Sequence, residues 1–144
     1  MIGLEKKITF WFISGLLVTS LFFAGCSVNQ EMEYRDGIYT GRIHGQQEVP
    51  HGEGTWKSPG GEKYVGYWSE GEIVEGEIYV QEDILYYQGE FLEGEKHGEG
   101  ILHWENGTVK YKGRWRNGNK HGEGILYRED GTIRHQGEWI DGRF

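Results

Sequence analysis

Cysteine is nearly missing from this chain of 144 residues: Cys26 is the single one. A lone thiol in an exported protein is unusual, so Cys26 needs an account of its own. After Cys26 no stretch has a 3.6-residue apolar period, which argues against helical architectures. There is no Gly-x-Ser-x-Gly and no Cys-His pair, so nucleophilic catalysis has nothing to use. Gly-x-Gly recurs, but between strands, with no helix start behind it to cradle phosphate. Basic residues are also scarce. From Cys26 onward there are 22 acids and 13 bases, and they are unevenly spread. Cys26–Glu93 holds 14 acids and 4 bases, while Gly94–Phe144 holds 8 acids and 9 bases. An acid-rich stretch is not drawn to nucleic acid or to anionic lipid. These deficits argue against an enzyme and give no reason to expect a cofactor.

What the chain does have is a repeat. Tyr87-Gln-Gly-Glu-Phe91 returns as Tyr111-Lys-Gly-Arg-Trp115, and Lys96-His-Gly-Glu-Gly-Ile-Leu102 returns as Lys120-His-Gly-Glu-Gly-Ile-Leu126, both at an offset of 24 residues. A fixed period in this range marks a repeat array whose units cannot bury a core singly. The glycine of Tyr-x-Gly-x-Trp falls at Gly41, Gly66, Gly89, Gly113 and Gly137. The apolar residue two places on is Ile43, Trp68, Phe91, Trp115 and Trp139. His-Gly-Glu-Gly follows at His51, His97 and His121. The second unit departs from this form, reading Val74-Glu75-Gly76-Glu77-Ile78 with no histidine.

Each unit reads as a β-hairpin. Val109–Arg116 alternates, with Tyr111, Gly113 and Trp115 on one face. Asn106-Gly107 and Asp130-Gly131 predict two-residue turns with positive φ at both positions. Asn117-Gly118 and Glu93-Gly94 mark the opposite turns. A glycine inside a strand implies a close approach, here by a large ring lying over bare backbone. The pattern predicts an all-β, single-layer antiparallel array of stacked hairpins, with about nine strands from Ile38 to Ile140.

This pattern resembles the MORN (membrane occupation and recognition nexus) repeat, roughly Tyr-x-Gly-x-Trp-x-x-Gly-x-x-His-Gly-x-Gly. The resemblance spans 38–142, with units near 39–63, 64–86, 87–110 and 111–134 and a partial one at 135–144. It implies an elongated, twisted sheet with aromatics in a groove. It also implies a role in protein or membrane contact, with any enzyme activity carried by an attached domain.

The first 26 residues read as an address. Lys6-Lys7 is followed by a 16-residue, mostly apolar run at Ile8–Phe23, then Phe23-Ala-Gly-Cys26. A basic start, a short apolar run and small residues before the cut describe a signal peptide over 1–25. The junction resembles the bacterial lipobox, whose cysteine takes a diacylglycerol. The expectation is therefore lipidation at Cys26, a polar tether over 26–36 and a repeat domain over 37–144. The repeats would then lie in the bacterial cell envelope, outside the cytoplasm.

The aromatics are the leading binding candidates: Phe91, Trp104, Trp115 and Tyr127 in units with the full motif, and Trp139 in the partial last unit. An exposed aromatic strip marks a binding surface more often than a defect; the alternative for each of these residues is self-burial, ring on glycine and ring on ring. The strip's partner would be a protein or a membrane or, on the alternative reading, a cell-wall carbohydrate stacked on the rings. Lys110, Lys112, Arg114 and Arg116 share one strand face and form a secondary candidate, for an anionic partner. The plainer reading pairs them with acids such as Glu90 or Glu138 across strands. His51, His97 and His121 suggest a metal only on paper. Equivalent hairpin positions lie roughly 10 Å apart, and zinc holds its nitrogens at about 2 Å. The histidines, like the five signature glycines, are expected to be structural, holding turns by hydrogen bonds. Glu53, Glu99 and Glu123 repeat in the same element and read as scaffold.

Overall fold

The computed structural model describes residues 29–45, 47–81 and 83–144. The leader over 1–25 and Cys26 lie outside the described residues. The described chain forms ten strands. The first five are β1 (Gln30–Tyr34), β2 (Gly37–His44), β3 (Val49–Lys57), β4 (Lys63–Ser69) and β5 (Glu72–Val80). The others are β6 (Ile84–Leu92), β7 (Glu95–His103), β8 (Val109–Arg116), β9 (Asn119–Tyr127) and β10 (Ile133–Trp139). They make one open sheet in which every strand pairs antiparallel with its neighbours in sequence. This is the stacked-hairpin array that the 24-residue period predicts.

The tenth strand is β1, which shortens the expected tether. Gln30-Glu-Met-Glu-Tyr34 pairs with β2 in register from Gln30↔Gly41 to Tyr34↔Gly37. Met32 and Tyr34 pack against the core. The Tyr34 carbonyl accepts from Trp56 Nε1 at 2.9 Å, and its hydroxyl donates to the Gly71 carbonyl at 3.0 Å. Five residues are too few to show a period, and three tertiary contacts decide the matter instead.

The two turn classes are the reverse of the expectation. Glu93-Gly94 (φ 52° and 78°) and Asn117-Gly118 (48° and 74°) carry positive φ at both central positions. At Asn106-Gly107 and Asp130-Gly131 only the glycine does. There Gly107 N donates to the Trp104 carbonyl at 2.9 Å, and Trp104 N donates to the Thr108 carbonyl at 2.8 Å. That is a three-residue loop, a type I turn followed by a bulge glycine. The cause is local. Asn106 Oδ1 accepts from Thr108 N at 2.9 Å and from Thr108 Oγ1 at 2.6 Å, and Asp130 does the same with Thr132. A side chain bonding two residues ahead fixes the wider loop.

Across the sheet runs an unbroken row of paired glycines: Gly41, Gly54, Gly66, Gly76, Gly89, Gly100, Gly113, Gly124 and Gly137. A Cβ on Gly113 would lie 2.5 Å from Gly124 Cα and 2.6 Å from the Glu123 carbonyl. Neighbouring backbones thus approach too closely for any side chain. Rings span this row, as the sequence predicts. Trp115 Nε1 donates to the Gly100 carbonyl at 3.2 Å, and Trp139 Nε1 to the Gly124 carbonyl at 3.3 Å. The hydroxyls of Tyr87 and Tyr111 donate to the carbonyls of Glu90 and Arg114, three residues on.

The core is the ring-bearing face alone. Tyr87 meets Trp115 edge-on at 5.5 Å, Trp115 meets Tyr111 at 5.2 Å, and Tyr111 meets Trp139 at 5.4 Å. Such T-shaped pairs add about 0.5–1.5 kcal/mol each beyond area burial. Leu102, Leu126 and Ile78 fill the gaps. The rings bury one another, so the single layer has a core without a second sheet.

Candidate functional site

The inner, ring-bearing face is closed on itself. Phe91 and Trp115 are each 6% exposed and Trp139 is 1% exposed. Of the two readings, open strip and self-burial, these three rings follow the second, because each is covered by its neighbours. Trp104 and Tyr127 are half-buried near the ends of β7 and β9. Lys110 Nζ lies 4.0 Å above the Trp104 ring. Lysines cover the other rings from the solvent side: Lys96 stands 5.5 Å above Trp115, and Lys120 stands 4.8 Å above Trp139. Burial lowers the pKa of both amines, and Lys110 and Arg134 lower that of Lys120 further.

The signature histidines line the same edge of the sheet. His51 Nδ1 lies 3.8 Å from Glu70 Oε1, and His121 Nδ1 lies 3.5 Å from Asp141 Oδ1. No hydrogen-bond partner for Nδ1 of His51, His97 or His121 is found among the described residues. The turn-holding hydrogen bonds expected of these histidines are thus not made through Nδ1. The five signature glycines all fall in the glycine row.

The basic stripe divides. Arg114 Nε pairs with Glu99 Oε1 at 3.0 Å, and Arg116 pairs with Asp141 Oδ1 at 3.0 Å. Lys110 is taken up by Trp104. Lys112 alone faces open space without an ion-pair partner among the described residues. The Arg114–Glu99 pair crosses the β7–β8 ladder, as expected in kind, whereas Asp141 lies in the turn after β10.

The outer face is open. Because side chains alternate, the residues flanking each row glycine point away from the rings. Between them the bare glycine backbone forms the floor of a trough. Two overlapping stretches of it, each of about 560 Å³, share Val65, Gly66 and Glu75. Together they run from Thr40 on β2 to Lys112 on β8. One wall is mostly neutral, with Thr40, Thr55, Val65, Gln88 and Ile101. Carboxylates stand on both sides of the floor, at Glu53, Glu75, Glu77 and Glu99. Tyr67 is the large ring exposed here, at 49%. The motif reading placed Glu53 and Glu99 in the scaffold and passed over Glu75 and Glu77. All four flank a row glycine, and that adjacency is the signal that could have found them.

Comparison with protein families decides what the regular units are. Residues 87–109 and 111–133 match the sequence model of the MORN repeat. These two units are MORN repeats. The MORN signature now has a structural meaning: its tyrosine and its tryptophan or phenylalanine build the inner core, two of its glycines, Gly89 and Gly100 in the first of these units, make the trough floor, and Gly94 sits in the turn. MORN repeats are in general protein- or membrane-interaction modules, and proteins built from them are in general non-enzymatic scaffolds. A search of curated proteins finds no match to this chain.

Proposed function

We propose that this chain is an envelope-displayed, lipid-tethered interaction module, and that the outer trough is its contact face. One observation carries the choice of face. Three of the five rings expected to bind a partner, Phe91, Trp115 and Trp139, are spent on their neighbours, while the opposite face keeps an open trough over bare backbone. The tether rests on the sequence: a signal-like start ending at the sole cysteine, Cys26. The acid excess of Cys26–Glu93 supports lipid, not protein charge, as the anchor, since an acidic surface is repelled by anionic headgroups.

Site-specific photo-crosslinking in intact cells tests both halves. A photoreactive residue at Gln88, in the trough, is expected to give an adduct that fractionates with membranes. The same residue at Asn117, at a turn tip, is expected to give none. Cys26→Ala should move the adduct or the protein out of the membrane fraction. Equal adducts from Gln88 and Asn117 would remove the trough from consideration, and unchanged fractionation of Cys26→Ala would remove the lipid.

A further inference from the structure

We infer that the trough takes an extended, basic polypeptide segment from a partner protein, with Lys or Arg at about every third residue. The inference rests on the trough being the contact face. Three features select the occupant.

The first is shape. The trough crosses the strands from β2 to β8, six strand spacings or roughly 29 Å at about 4.8 Å each. A segment of about nine residues at about 3.3 Å per residue spans that length. A helix of about 10 Å diameter would ride above the floor, whereas a single extended chain can lie on it. The floor carries no side chains to hold it off.

The second is charge. Glu53, Glu75 and Glu77 have no ion-pair partner among the described residues, although Arg35, Lys63, Arg114 and Arg116 all find one elsewhere. Glu75 also stands directly opposite Glu90 across the β5–β6 ladder. Like charges placed so are destabilising. Glu90 accepts from Glu99 N at 2.9 Å and Glu77 accepts from the Tyr79 hydroxyl, so the cost that a bound cation would relieve falls on Glu53 and Glu75. Arg42 beside Gly41 at the near end and Lys112 at the far end carry no ion pair among the described residues, and Glu99 is already taken by Arg114. The attraction is therefore concentrated over β3–β5.

The third is spacing. Glu53, Glu75 and Glu99 recur on alternate strands, β3, β5 and β7, about 10 Å apart. Three residues of extended chain cover the same distance. Basic residues three apart meet Glu53 and Glu75 without strain, a third would compete with Arg114 for Glu99, and the residues between lie on glycine backbone or against Thr55, Val65 and Ile101.

The test is fluorescence anisotropy on the purified full chain, with labelled nonapeptides (Arg-Ser-Gly)₃ and (Glu-Ser-Gly)₃. The arginine peptide should bind and the glutamate peptide should not, with affinity falling as salt shortens the range of the field. The triple variant Glu53→Gln, Glu75→Gln, Glu77→Gln should weaken binding at least tenfold. A charge-matched control, Glu48→Gln, Glu62→Gln, Glu105→Gln, removes three exposed carboxylates from turns and should leave it within twofold. Melts of both triples check the fold. Equal weakening by the two triples would overturn the assignment and the trough with it. Binding of the glutamate peptide, lost on Val65→Arg, would overturn the basic partner and leave the trough standing. Binding of anionic vesicles in preference to the arginine peptide, or of neither peptide, would overturn the proposal.

Discussion

The two halves of the sheet follow one plan and keep it unequally. From β6 to β10 the rings form a continuous chain: Phe91, Tyr87, Trp115, Tyr111, Trp139 and His135, each step between 5.2 and 5.5 Å. From β2 to β5 the chain breaks. Tyr39 meets Trp68 at 5.3 Å, but no ring contact joins Trp68 to Tyr64 among the described residues, and Tyr64 reaches Phe91 only at 6.5 Å. Ile73 and Ile78 fill the space instead. The glycine row nevertheless crosses both halves without interruption. Strand pairing therefore depends on the glycines, and ring continuity is a separate, gradable addition. The regular half is also the one that matches the MORN repeat, while the irregular half carries most of the uncompensated acid.

The largest expected effect probes that difference directly. Trp115→Ala should cost about 3–5 kcal/mol as a buried large-to-small change. Trp115 touches two tyrosines, whereas Trp68 touches one. Trp68→Ala should therefore cost less, by about 0.5–1.5 kcal/mol for the missing pair. Chemical denaturation of both variants reads the gap, and equal losses would mean that the ring chain adds nothing beyond burial.

Next comes the feature the halves share. Gly113→Val should cost about 1–3 kcal/mol by overpacking against the Gly124 backbone. Gly45 has open space around it, so Gly45→Ala should stay within about 0.5 kcal/mol of wild type. A Gly113→Val melt that overlays the Gly45→Ala melt would refute the close approach.

The smallest effect is in pH. Burial raises the Tyr87 and Tyr111 pKa values, that of Tyr111 to about 12, with Glu90 and Glu99 adding to the rise respectively. A pKa higher in the folded than in the unfolded chain gives stability that is complete below about pH 10. That stability is lost as pH rises toward the folded value. Lys96 and Lys120, lowered by burial, act in the opposite sense: their cost fades as pH rises toward the ordinary lysine value. The melting midpoint should hold or rise slightly up to about pH 10, then fall between about 10 and 12. Tyr111→Phe should soften that fall. A midpoint that drops well before pH 10 would contradict the burial of these hydroxyls.

Much of this was legible in the residues, because a 24-residue period with fixed glycines permits few architectures. The ring-over-glycine contact followed from Gly113 and Trp115 sharing one strand face. Other features were not legible, each for a physical reason. β1 is five residues long and held by Trp56 and Gly71, far away in sequence. Asn-Gly names a turn but not its length, which Thr108 and Thr132 settle. Whether Phe91, Trp115 and Trp139 lie open or closed depends on how the strands bring neighbouring rings together, which alternation cannot express. Glu75 and Glu77 looked like ordinary outward residues because their meaning comes from the floor between them.

The glycine row has a mechanical side as well. A line of nine positions without Cβ atoms is a crease, where a sheet resists bending least. Tyr87 sits two residues before its row glycine, and its hydroxyl holds the carbonyl one residue after it. Tyr111 and Tyr39 do the same around Gly113 and Gly41. Each phenol is thus a brace thrown across the fold line. The three hydroxyls lie on the ring face, so a ligand on the far side of the crease would touch none of them.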